Sequence, residues 1–168
     1  MLRLSIGVCL AVLDSVAGKQ GPAVNKESLV SESGFLSFVN RMILLSVDKP
    51  AELYAETIGP LLNHLAALCR SAWKFSKKIA EWEQEELSCN LISLVEATDS
   101  DQILRDAILV FIAMQESGLL LSDEVQSRLK DLLSSLNSNS MQQAEETKEY
   151  LKRLAYLLRN TPVEKMSL

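Results

Sequence analysis

Three features of the chain predict an all-α fold. Hydrophobic residues make up 48% of it but aromatic residues only 5%, so its core draws mainly on Leu, Ile, Val and Ala. Only six glycines and four prolines interrupt 168 residues, a composition that favours helices over short strands joined by turns. Apolar residues recur at three- and four-residue intervals, and no segment alternates convincingly with period two.

The first element is the opening stretch, MLRLSIGVCLAVLDSVAGKQG. At about 100° per residue, Arg3, Gly7, Ala11, Asp14 and Gly18 share one narrow stripe, with Leu2, Ile6, Cys9, Leu13 and Val16 opposite. That order predicts a helix buried on most of its surface. A signal peptide is the rival reading. Arg3 gives a positive start, Leu4–Leu13 an apolar run, and Ser15-Val16-Ala17 small residues at a cleavage spacing. The run is too short to span a bilayer. Asp14 and the single polar stripe favour the retained helix, and no Asn-x-Ser/Thr sequon occurs in the chain.

After the loop GKQGPAVN, a helix is predicted over Lys26–Ser46, interrupted near Ser31–Gly34. In its stronger half Phe35, Val39, Met42 and Ile43 share a face. Pro50 opens a short helix that breaks at Gly59-Pro60. A longer one then starts at Pro60, with Leu62, Leu65, Cys69 and Trp73 at helical spacing. The next carries Ile79, Trp82, Leu87, Leu91 and Val95; the residues alone leave open whether it continues the previous one through Ser71–Ser76.

Later elements are better punctuated. Thr98-Asp99-Ser100-Asp101 supplies capping oxygens and acids for a helix that ends before Gly118. Its middle, Ala107–Met114, is apolar all round, which predicts neighbours on several sides. Ser122 caps a helix with Val125, Leu129, Leu132 and Leu133 inward. Ser140 and Gln143 have the spacing of a capping box for the last helix, which runs to about Asn160. There Ala144, Leu151, Leu154, Ala155 and Leu158 form the stripe. Glu145, Glu146, Lys148, Glu149, Lys152 and Arg153 form a wide wet face. The expected total is six to eight helices joined by short loops, with antiparallel neighbours.

Paired helices with Asp or Ser at the turns and aliphatic seams, clearest over Asp99–Leu136, resemble the armadillo and HEAT class of helical-repeat proteins. The resemblance implies antiparallel helix pairs stacked as an irregular armadillo/HEAT-like α-solenoid; a non-repetitive helical bundle is the other arrangement of the same pattern. It also implies a scaffold that docks protein partners, of a kind recurring in nuclear transport, vesicle traffic and chromosome maintenance. The last helix, with its broad charged face, reads as a cap, whereas the first leaves little surface for water. Residues 1–168 are therefore read as a single all-helical domain, the C-terminal part of a larger helical-repeat scaffold in the cytoplasm or nucleus. The alternative is a secreted helical bundle with residues 1–17 removed.

The net charge of −5 argues against a basic nucleic-acid binder. Cys9, Cys69 and Cys89 are odd in number and lack a CxxC pair, which fits reduced core thiols better than a disulfide framework. His64 is the lone histidine, with no Cys, Asp or second His at ligand spacing, so no metal or cofactor is expected. The chain has no GxSxG elbow, P-loop or GxGxxG fingerprint, and the run Glu81, Glu83, Glu85, Glu86 reads as a solvated face. The function expected is thus non-enzymatic, with no small-molecule substrate and no membrane span. One sharper feature remains: on a continuous helix Arg70, Lys74, Lys77 and Lys78 share a face beside Trp73. This basic strip could grip an acidic partner segment or a phosphate backbone, although Glu81 and Glu85 continue the row and offer intrahelical pairs.

Overall fold

The computed structural model describes residues 35–47, 58–71, 81–118, 121–138 and 143–160. Six helices lie within them: α1 (Phe35–Val47), α2 (Gly59–Ser71), α3 (Glu81–Ala97), α4 (Asp101–Glu116), α5 (Asp123–Ser138) and α6 (Glu145–Arg159). No strand occurs among the described residues, so the fold is all-α. The expected opening helix with its candidate cleavage site, Cys9, the Ser140 cap and the connection through 72–80 lie outside them.

Each helix packs most closely on the helix after next rather than on its chain neighbour. α2 packs on α4 and α4 on α6, forming one row; α1 packs on α3 and α3 on α5, forming the other. Across the rows, α3 touches α4 and α5 touches α6. Polar contacts show that α2, α4 and α6 run the same way, as do α3 and α5. Thr147 donates to Asp101 Oδ2 (2.9 Å) near the starts of α6 and α4, while Arg153 of α6 pairs with Glu116 in the last turn of α4. At the ends of α2 and α4, the Ser117 hydroxyl lies 2.6 Å from the Cys69 carbonyl oxygen, and Arg70 pairs with Glu116. In the other row, Ser122 donates to Glu85 (2.9 Å) near the starts of α5 and α3, and Arg128 pairs with Glu96 (3.7 Å) further along both helices.

Only residues 98–100 connect α3 to α4, so the chain reverses between the rows. The helix pair expected over Asp99–Leu136 is therefore split. α4 and α5 follow one another in the chain but stand in different rows, and the chain neighbours that touch across the rows are α3 with α4 and α5 with α6. The reason is the surface of α4. Ala107, Ile108 and Val110–Met114 are all buried, as their all-round apolar pattern predicts, and one neighbour could not cover them. They are enclosed by α2 and α6 within the row and α3 across it. By contrast α5 buries only Val125, Leu129 and Leu133, and α6 only Thr147, Leu151, Leu154 and Leu158, a single stripe each. Leu132 and Ala155, expected inward, are partly buried; Ala144, also expected inward, is exposed because it precedes the first helical turn.

Helix ends follow the expected punctuation in two of four cases. Gly118 adopts φ +80°, the left-handed conformation that closes α4 and that glycine adopts without a Cβ penalty. The Ser122 hydroxyl accepts the Val125 amide (3.3 Å) as the cap of α5. Ser100 occupies the cap position of α4 without a side-chain hydrogen bond; instead Thr98 Oγ1 accepts the Ser100 amide (3.1 Å). The capping box expected for α6 is absent at Gln143. Ala144 is the cap residue, and Gln143 Nε2 donates back to the Leu136 carbonyl (3.1 Å), stitching α6 to the end of α5.

Candidate partner-contact surface

Of the predicted basic strip, Arg70 is described, and Trp73, Lys74, Lys77 and Lys78 lie outside the described residues. Arg70 stands in the last turn of α2, where a cation complements the helix dipole. One residue earlier, Cys69 is fully buried; a rotation of about 100° carries Arg70 to the surface. Its guanidinium is not free for a partner alone. Nε lies 3.8 Å from Glu116 Oε2, and the other oxygen of that carboxylate takes Arg153. An acid in the last turn of a helix is disfavoured by the dipole; two guanidiniums from the flanking helices of the row offset this at Glu116. The three side chains remain partly exposed, Arg70 at 46%, so the cluster is a surface clamp across α2, α4 and α6.

A second polar group sits nearer the start of α6. The Glu146 carboxylate accepts Arg105 (3.3 Å) from α4 and the Tyr150 hydroxyl (3.2 Å) from its own helix. Partial burial, then the neighbouring carboxylate, raises the Tyr150 phenol above its ordinary range. On the other row, Glu85 and Glu86 are exposed, and Glu85 accepts the Ser122 hydroxyl, so these acids form a solvated, cross-linked face. Side chains at the two ends of α6's first turn pair locally as well: Lys148 donates to Glu145 (2.7 Å) and holds that carboxyl below its usual range.

The thiols split by environment. Burial pushes Cys69 up to about 12, against the pull of Arg70, so it is a neutral core side chain at physiological pH. Cys89 is half-buried; burial raises it and Arg128 opposes the rise. His64 lies within α2. Among the described residues no group of His, Cys, Asp or Glu is arranged to hold a metal ion, and no helix is long and apolar enough to cross a membrane.

The residues that sequence reasoning missed are those whose partners lie far away in the chain. Glu116 takes partners 46 and 37 residues distant, and Thr147 one 46 residues distant. A lone acid before Gly118 carries no local sign of this. Comparison with family models, curated proteins and solved structures yields no match to this chain.

Proposed function

We propose that the protein is a non-enzymatic interaction scaffold of helical-repeat type, an irregular armadillo/HEAT-like stack that docks protein partners. The observation that carries this reading is the packing of alternate helices into two rows, parallel within each row where polar contacts report direction. Such rows bury apolar seams between neighbours and leave long polar ridges facing water, a form suited to holding other proteins by shape and charge. No step of bond making is assigned to it. The surface proposed for contact is the end of α2 at Arg70, continued in sequence by Trp73, Lys74, Lys77 and Lys78.

Affinity purification of the full-length protein from cells, quantified against a variant with Arg70, Lys74, Lys77 and Lys78 changed to Glu, tests it. A defined set of proteins held by the wild type and depleted at least tenfold by the variant is the expected result, with circular dichroism confirming that the variant stays helical. Equal recovery of every protein by both chains overturns the assigned surface. A small-angle scattering profile of the full chain too compact for stacked rows overturns the repeat arrangement separately.

A further inference from the structure

The seam between α1 and α3 holds an exception to the aliphatic rule that builds the rest of the core. Asn40 of α1 is 2% exposed and Asn90 of α3 is 9% exposed, and Asn90 Nδ2 donates to Asn40 Oδ1 at 3.1 Å. Asn40 Nδ2 is buried without a hydrogen-bond partner. A pair that leaves one donor unsatisfied is a poor stabiliser, since apolar side chains of similar size would fill the space without that cost. Its value has to lie elsewhere.

The sequence of α1, FLSFVNRMILLSV, shows where. Val39, Asn40, Met42 and Ile43 occupy the buried seats. Four residues earlier stand Phe35, Leu36, Phe38 and Val39. A slide of α1 by one turn would put an apolar residue in every one of those four seats, so among the described buried seats apolar character distinguishes the two seatings only at that of Asn40. There, the slid helix would set Leu36 against the Asn90 amide and leave it buried with no partner. We infer that the Asn40–Asn90 pair is a register lock that selects one seating of α1 on α3 and thereby fixes which surface of α1 is turned away from α3. A buried polar residue that specifies helix register at a cost in stability is the best-attested use of such groups.

The test uses the full chain with genetically encoded spin labels at Arg41 and Ser134, both exposed on α1 and α5. Distances are measured by double electron–electron resonance in the wild type and in Asn40→Leu, Asn90→Leu and the double variant. The wild type should give one distance. The double variant should melt at or above the wild-type temperature, and it should show a second distance population displaced by up to about 5 Å, the rise of one helical turn. Each single variant should melt below the double one, because each leaves one amide stranded. A single, unshifted distance in a stably folded double variant overturns the lock, as does a double variant less stable than either single change.

Discussion

Cys69 and Thr147 show how single side chains depend on what surrounds them. The Cys69 thiol is fully buried and pushed up to about 12, from an ordinary value near 9. Its folded pKa is raised, so its contribution is intact below about pH 9 and is lost as pH climbs toward 12. The unfolded thiol ionises first, and each pH unit in that window costs up to about 1.4 kcal/mol. Thermal melts between pH 8 and 11 should therefore steepen downward in the wild type and flatten in Cys69→Val. Thr147 is fully buried, and its hydroxyl holds Asp101 Oδ2 while Asp101 Oδ1 is buried without a partner. Thr147→Val keeps the shape but strands the carboxylate; denaturant unfolding should show a loss of about 1–3 kcal/mol. Threonine in a wet-looking helix start, EETKEY, reads locally as surface, and only contact with α4 makes it core.

Among the helices, the width of the apolar arc tracks position in the rows. α4, apolar on all sides in sequence, is enclosed by three helices, whereas α5 and α6, with single stripes, stand at one end of the rows. That correspondence is readable from residues because burial on several sides and burial on one side leave different periodic patterns. Turn chemistry is readable where it is local. Gly118 closes α4 at φ +80°, and no atom lies within 4 Å of the point where a Cβ would stand, so Gly118→Ala meets backbone strain rather than a clash. It should cost about 1 kcal/mol in chemical unfolding, with the helical circular dichroism signal unchanged. The absence of the capping box of α6 is not readable, because Gln143 meets a competing acceptor, the Leu136 carbonyl, at the end of α5.

For the whole molecule, the charge clamp at Glu116 links the three helices of one row at their surface. Because both guanidiniums are about half exposed, Glu116→Gln should cost no more than about 1 kcal/mol, and the difference from wild type should vanish in about 1 M salt. A persistent deficit at high salt would mean that Glu116 acts through packing instead. Residue order alone was enough to set the helical class, the positions of most helices from 35 onward, the enclosed character of α4 and the stop at Gly118, since each follows from periodicity or from residues adjacent in the chain. Three-dimensional packing was needed to part chain neighbours α4 and α5 into different rows, to claim Arg70 for Glu116, and to bring Asn40 to Asn90. These depend on which apolar face meets which and on polar partners 46 to 50 residues apart, and aliphatic seams are too alike to announce their partners in advance.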